Sequence, residues 1–418
     1  MKDLSSKKIR MVIATSVPST MASFGKGQMT FFKRHGFDVD YLASSGDGLE
    51  TVLKEEVNYF ETDFRRTLSP IADIKTLCKL VKLFRHRKPA VVQLMTLKPS
   101  ILGVLAGRIS RVPLLLRHKW GYMRDCNYRG VKRFLLFSAD KWSNRLAHRV
   151  VINSHELKDA EIAIGAVNPE KVAVYGAGTS HGIDLERYTL SPELKEIGKK
   201  IRCQFNLTAD DTVLGTVMRV NIEKGICELV EAFSQLHSKY NNLHLMIVGD
   251  YDPRNCPPEK IARMIEDHPN IHMAGWQKDV NHYYAAMDIF VLPTYREGFC
   301  NSNIEASAME LPVVSTKIIG VDGSSVVNGI TGLIVPPRNS IELARAINEI
   351  LNNKTFAKQL AANGRKRVEE EFPNELIWHY QLKDICQLLS ERGIKPPVES
   401  EKIVGRICPL CNNPKDRK

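Results

Sequence analysis

Two tandem series of short β-branched runs, each run followed by a longer segment of helical period, constrain this chain more than any other feature. In the first series "IRMVIATS", "FDVDYLAS", "AVVQLM", "VPLLLRH", "RVVINS" and "KVAVYG" alternate with segments such as "IADIKTLCKLVKLFRHR" and "GVKRFLLFSADKWSNRLAHR". Such alternation implies β-α-β units and a parallel sheet, since parallel neighbours need a long crossover. Near residue 212 the pattern starts again with "TVLGTVMR", "LHLMIVGD", "IHMAGW", "DIFVLP", "LPVVSTK" and "GLIVPP", separated by helical stretches such as "GICELVEAFSQLHSKY" and "SIELARAINEILNN". Two doubly wound α/β domains are therefore expected, and 418 residues supply ample core for both. The seam falls in the polar stretch "TSHGIDLERYTLSPELKEIGKK", giving domains 1–195 and 196–375, an amphipathic segment at 376–393 and a charged, proline-containing tail at 394–418.

Composition narrows the setting. The nine cysteines are odd in number and scattered, which argues against a disulfide framework and for a reducing cytoplasm. "MKDLSSKKIRMVIATSV" reads as a charged leader into a buried strand rather than an export signal, because its apolar run is short and carries no small-residue cleavage site. No segment approaches the ~20 uninterrupted apolar residues of a membrane span. The nearest, "SILGVLAGRISRVPLLL", is cut by Arg108 and Arg111. The formal charge is +12, and residues 1–150 hold 28 Lys and Arg against 12 Asp and Glu. That half calls for an anionic partner: nucleic acid, an anionic bilayer surface or a phosphate-bearing substrate.

In open parallel sheets, ligands sit beyond the carboxyl ends of the strands, where loops lead into helix N-termini. "TYREGFCNSNIEAS", residues 294–307, follows the strand "DIFVLP", and sets Glu297 in the exit loop and Glu305 on the first turn of the next helix. Ser302 followed three residues later by Glu305 is also the spacing of a capping box. Glu297 alone reads as a solvated loop carboxylate. A second exit changes that balance: "VLGTVMRVNIEKGI" places Arg219 at the end of the second domain's first strand and Lys224 at the start of its helix. Two cations and two carboxylates over one carboxyl edge suit a ligand with a diphosphate and sugar hydroxyls, approached closely by the Gly298–Ser302 backbone.

These residues resemble the retaining GT-B glycosyltransferases of family 4. "RVNIEKG" is similar to that family's Arg-x4-Lys-Gly, "EGFCNSNIEASAMELPVV" to its Glu-x7-Glu block, and the flanks "GWQKDVNHYYAAMDIFVLPT" and "GITGLIVPP" agree. The likeness runs from about residue 9 to about residue 392. In "GQMTFFKRHGFDVDYLAS", "LKPSILGVLAGRISRVP", "SNRLAHRVVINS" and "YGAGTSHGIDLERY" it is greatest to bacterial enzymes extending polyprenol-linked glycans for capsule, O-antigen or glycoprotein assembly. The resemblance implies two Rossmann-like domains facing across a cleft, with the C-terminal helix returning to the first. Arg219 and Lys224 would hold the donor diphosphate and stabilise the leaving group. Glu297 would contact the donor sugar, helped by amides of Gly298, Phe299, Cys300 and Asn301, with Ser302 in the same block. Glu305 would accept from the ribose, and the base, expected to be uracil, would lie near the loop at Trp276 to Lys278.

Retention in such enzymes is attributed to front-face attack, in which the leaving phosphate takes the acceptor's proton. No protein nucleophile, cofactor or metal is then expected, and electrostatic stabilisation of the diphosphate is the main catalytic contribution. "DYD" at Asp250–Asp252 could pass for a metal motif but follows "LMIVG" as an ordinary strand exit. Two departures from the family stand out. Where many relatives carry His-Gly in the first domain, this chain aligns Trp120 and Gly121, leaving His118 as a possible sugar contact or a locally satisfied histidine. The usual Gly-Gly loop is "TMASFGKGQ", with a shorter helix behind it, and Gly25, Lys26 and Gly27 either cradle phosphate or acceptor, or form an ordinary turn.

The basic half has a candidate partner of its own. "IKTLCKLVKLFRHRK" and "YRGVKRFLLFSADKWSNR" mix cations with Leu, Phe and Trp, as an interfacial segment on an anionic leaflet would; the bland alternative is a core-facing stripe with solvated lysines. The expectation is a peripheral enzyme at the inner face of the plasma membrane, meeting a nucleotide-sugar donor and a polyprenyl-diphosphate-linked glycan. Cys408 and Cys411 supply half a zinc site at most. The competing readings are a GT-B sugar-nucleotide epimerase, which the "EGFCNSNIE" context disfavours, and a non-catalytic basic protein binding membrane or nucleic acid. Nucleic acid is disfavoured because no stacking platform or docking motif accompanies the charge. A dinucleotide enzyme is disfavoured because "FGKGQMTFF" lacks the third glycine.

Overall fold

The computed structural model describes residues 8–65, 69–121 and 130–399. The chain forms two compact units, residues 1–182 with 374–418, and residues 183–373. Each unit is a parallel sheet buried on both faces by helices, as expected from near-continuous apolar strands.

The first unit runs β1 (Ile9–Ala14), α1 (Pro18–Phe24), α2 (Gln28–Arg34), β2 (Phe37–Ala43), α3 (Leu49–Leu53), β3 (Asn58–Glu61), α4 (Pro70–Arg87), β4 (Val91–Leu94), α5 (Leu97–Ile109), β5 (Leu114–Lys119), α6 (Gly130–Leu146), β6 (Arg149–Ile152), α7 (His155–Ala163) and β7 (Val172–Ala173). Its sheet order is β3-β2-β1-β4-β5-β6-β7, all parallel, so the chain reverses direction across the sheet between β1 and β4. Helices α4, α5 and α6 pack side by side, α4 on α5 and α5 on α6. Asp40 of β2, almost wholly buried, accepts two hydrogen bonds from the Arg87 guanidinium at 2.8 and 2.6 Å and so anchors the end of α4.

The second unit runs α8 (Pro192–Gln204), β8 (Thr212–Val217), α9 (Ile226–His237), β9 (Leu243–Val248), α10 (Glu259–Asp267), β10 (Ile271–Gly275), α11 (Val280–Tyr284), β11 (Ile289–Leu292), α12 (Asn301–Ala308), β12 (Val313–Thr316), β13 (Gly332–Val335), α13 (Ser340–Asn352) and α14 (Lys354–Glu371). Its sheet order is β10-β9-β8-β11-β12-β13, with the reversal between β8 and β11. The unit begins upstream of the seam expected at 195/196, because that point lies inside α8, whose Ser191 cap accepts from the Leu194 amide.

After the second unit, α15 (Asn374–Ser390) returns to the first. Its buried Trp378, Leu382, Ile385, Cys386 and Leu389 share one cluster with Phe31, Phe32, Met29 and the β1–β2 core. The 3–4 residue spacing of those positions makes one apolar face, docked on α2. Arg149 of β6 reinforces the return through two hydrogen bonds to Asp384 at 3.1 and 2.6 Å.

Two local expectations change. Strand β3, "NYFE", is an additional edge strand with exposed ends, too short and polar to stand out in the sequence. In "TMASFGKGQ" the first five residues are helical, not loop. Pro18 starts α1, and the chain breaks after Phe24 where Gly27 adopts φ +87° before α2. The Cys408/Cys411 pair and residues 400–418 lie outside the described residues.

Candidate functional site

The second unit's reversal point lies between β8 and β11, so the exits of these neighbouring strands open side by side at the sheet's carboxyl edge. Leaving β8, the chain makes a tight turn in which Asn221 accepts from the Lys224 amide at 3.0 Å, and Gly225 follows at φ +75°. A β-carbon on Gly225 would sit 2.7 Å from the Pro293 carbonyl carbon and nearer still to its oxygen. Only glycine lets the two exits approach this closely. The exits are then laced together: the Tyr295 amide donates to the Glu223 carbonyl at 2.8 Å, and Arg296 donates to the Glu223 carboxylate at 2.9 Å.

At the centre of this lacing, Lys224 and Glu297 form an ion pair, each side chain 18% exposed. The cation of the first exit and the carboxylate of the second, 73 residues apart in sequence, are thus in direct contact. Arg219, earlier on the β8 exit, is 59% exposed and donates to Asp252 at 2.7 Å. Hydrogen bonds from Arg254, together with the charge of Arg219, hold the Asp252 carboxyl down at about 2. Asp252 therefore stays an anion that steers Arg219. Asp250 accepts from the Trp276 amide at 2.9 Å, so two carboxylates of "DYD" already have protein partners. Among the described residues no group of three or more His, Cys, Asp or Glu is placed to hold a metal ion. Trp276 follows β10 with its side chain largely exposed.

The block from Gly298 to Glu305 differs from its sequence reading in one useful respect. No capping box forms: α12 starts at Asn301, its cap is Cys300, and no side chain caps it. Ser302 lies within the helix, and Glu305 instead accepts from the Tyr284 hydroxyl at 3.0 Å. Burial pushes the Glu305 carboxyl up, opposed by that hydroxyl and by the charge of Arg187. Of the amides expected to meet a ligand, that of Cys300 already donates to the Gly320 carbonyl at 3.2 Å. Gly320 itself packs against the Gly298 carbonyl, where a β-carbon would clash. Phe299 is buried edge-on against Phe372, and burial raises the Cys300 thiol, so both secure the loop rather than present reactive groups.

Gly25, Lys26 and His118 belong to the first unit. The Gly25 amide donates to the Met21 carbonyl, and the amides of Gly27 and Thr30 donate to the Glu55 carboxylate at 2.9 and 2.8 Å. The chain's own carboxylate fills the expected cradle, leaving the exposed Lys26 ammonium as the group able to meet an anion. His118, near the end of β5, is 5% exposed, and burial pushes it down to about 3, so it is a neutral imidazole. Its Nε2 lies 3.5 Å from the Gln381 amide nitrogen of α15, which also donates to Gln93 at 2.7 Å. Trp120 packs on the first unit's core.

Sequence reasoning missed the partners of these groups: Asp252 for Arg219, Tyr284 for Glu305, and the Glu223–Arg296 pair. Only Asp252 carried a signal, being the last acid of a strand exit beside β8.

Comparison with known proteins bears on the same residues. A family model described as glycosyl transferases group 1 matches residues 199–367, and one described as Glycosyltransferase Family 4 matches residues 29–187. The capsular polysaccharide biosynthesis glycosyltransferase CapM of Staphylococcus aureus is 32% identical over 84% of this chain and 90% of its own. The UDP-Gal:alpha-D-GlcNAc-diphosphoundecaprenol alpha-1,3-galactosyltransferase of Escherichia coli is 24% identical over 80% of this chain and 85% of its own. The crystal structure of Anabaena HepE in complex with UDP-glucose matches with a TM-score of 0.74 at 20% identity, covering 92% of this chain and all of the other, which shows the two-domain GT-B fold. The sheet reversal bearing Lys224 and Glu297, the two family models and the kinship with the capsule enzyme converge on one assignment: the chain belongs to the group 1 and family 4 glycosyltransferases.

Proposed function

We propose that this glycosyltransferase moves a sugar from a UDP-sugar to a polyprenyl-diphosphate-linked glycan, with retention, at the inner face of the plasma membrane. The observation that carries the proposal is the Lys224–Glu297 pair at the reversal point of the second sheet, with Arg219 earlier on the same exit and held by Asp252. An arriving diphosphate competes with Glu297 for the Lys224 ammonium. Its oxygens take the positive charge of Lys224 and Arg219, and the freed carboxylate accepts from hydroxyls of the donor sugar. As the bond from the anomeric carbon to the phosphate oxygen breaks, UDP departs with the electron pair. Both cations meet that growing charge, Lys224 from a largely buried position where electrostatic stabilisation is strong and Arg219 from the solvent side. The acceptor hydroxyl oxygen bonds to the anomeric carbon on the face UDP leaves, and its proton passes to the departing phosphate. Glu305 accepts from the ribose, with Trp276 near the base.

Relatives support the choice of acceptor: one is named for a diphosphoundecaprenol substrate in Escherichia coli, and another for a diphospho-undecaprenol substrate in Campylobacter jejuni. No helix among the described residues is long and apolar enough to cross a membrane, so a lipid-linked acceptor would be met at the bilayer surface. A panel of UDP-, GDP- and ADP-sugars, with released nucleotide followed with and without polyprenyl-diphosphate glycan, tests the reading. Acceptor-dependent release of UDP and an axial-to-axial outcome by NMR are expected. UDP release at the same rate without acceptor would favour epimerase chemistry instead.

A further inference from the structure

Helix α6 is built inside out. Its inward side is polar: Asp140, 1% exposed, pairs with Arg117 and accepts from the Lys119 ammonium at 2.5 Å, while Asn144 takes a second Arg117 nitrogen. Ser143, also buried, donates to the Asp140 carbonyl at 2.8 Å. Leu136 is the helix's one buried apolar side chain among those described. The outward side is apolar, with Val131 74%, Phe134 69%, Leu135 53% and Trp142 63% exposed. At 100° per residue these four fall within an arc of about 100°, opposite Asp140. Exposed Lys141 borders the arc and exposed Arg145 stands within it, and the helix's only acid is the buried Asp140. Next to it α5 exposes Leu105 and Ile109, and α4 beyond exposes Lys75, Lys79 and Lys82. Residues 70–146 carry 17 Lys and Arg against three Asp and Glu, of which Asp73 is paired with Lys98.

We propose that the outward face of α6 lies in the interface of a bilayer bearing anionic headgroups. Phe134, Leu135 and Trp142 enter the acyl boundary, and Lys141 and Arg145 meet lipid phosphates. The proposal rests on the reading that the acceptor is lipid-linked, and gives that substrate a route to the first unit. An anionic bilayer fits better than a second copy of the chain, because a symmetric contact through this face would set its cations against each other with no acid between them. The buried charge network has a matching role: it fixes the helix from inside with polar contacts, which leaves its large apolar residues for the outside.

Flotation of the full chain on vesicles of phosphatidylcholine alone, and of phosphatidylcholine with about one-third phosphatidylglycerol, tests this. The wild type should float with the anionic vesicles. Phe134→Ser with Trp142→Ser should weaken partitioning at least about tenfold, and Lys141→Ala with Arg145→Ala should erase the preference for phosphatidylglycerol. Melting temperature and UDP affinity should not change. A second measurement needs no stable apolar variant: brominated lipid should quench wild-type fluorescence, and Trp142→Phe should remove most of that quenching. A wild type that stays off anionic vesicles, or flotation indifferent to both pairs, overturns the proposal. So does loss of self-association in the apolar pair with flotation intact, which would make the face a contact between copies. Sugar transfer to acceptor in detergent micelles is read separately, so a chain that floats but transfers nothing refutes the enzymatic reading and not the docking face.

Discussion

Gly225→Ala isolates the approach of the two strand exits. The residue adopts φ +75° and ψ +29°, a conformation that costs an L-residue about 1–2 kcal/mol. The added methyl would also stand 2.7 Å from the Pro293 carbonyl carbon and 2.9 Å from its ring Cγ, closer than real β-carbons come. Relieving that overlap requires the β11 exit to retreat on the order of 1 Å, and overpacking of this kind costs about 1–3 kcal/mol. Together these give about 3 kcal/mol, a fall of roughly 6–12 °C in the melting temperature of the second unit. The same retreat pulls Glu297 from Lys224, and a misplacement of about 1 Å is worth up to ~100-fold in catalysis. Thermal melts followed with and without UDP, together with kcat/KM on the best donor, measure both effects. If Gly225→Ala melts within about 2 °C of wild type and keeps its kcat/KM, the close approach is not what assembles the site.

Three further outcomes follow from the same geometry. Lys224→Ala and Glu297→Gln should each lower kcat/KM by about 10²–10³, or about 3–4 kcal/mol, and the double variant should lose more than the product, because either single variant also spares the donor from breaking the Lys224–Glu297 pair; additive losses in steady-state kinetics would contradict that pairing. Transfer should survive EDTA within about twofold, since Arg219 and Lys224 supply the positive charge; an absolute requirement for added Mg²⁺ would refute that. Acid should weaken the first unit. His118 and His181 are 5% and 8% exposed and are pushed down to about 3 by burial, so between pH 6.5 and 3 the unfolded chain binds protons that the folded chain refuses. Stability is therefore full above the unfolded value and falls as pH drops through it, by about 2 kcal/mol per histidine at pH 5; urea titrations at pH 7 and 5 should show the loss, and His118→Gln with His181→Gln should reduce it.

The fold was legible because buried parallel strands are nearly continuous apolar runs, and "VVQL", "LLLRHK", "IFVL" and "VVST" are buried along their whole length. β3 escaped notice because an edge strand needs no such run. "TMASF" reads as loop because Gly25 and Gly27 follow it closely, although Pro18 marks a helix start. At the site, the residue types and their places on strand exits were readable, since both follow from local pattern. Their pairing was not, because it depends on β8 and β11 being neighbours, which no local window contains. The same holds for Arg117 and Asp140, two charges 23 residues apart that stay buried because they meet each other and Lys119.

The return of α15 has a consequence for how the protein is made. Residues 183–373 emerge from the ribosome as a complete folding unit, while the earlier residues still lack Trp378, Leu382, Ile385 and Leu389 from their core. Nascent chains usually consolidate from the amino terminus onward. Here the order inverts: the unit of residues 183–373 can finish first, and the residues before it wait for α15 to be translated before their interior closes.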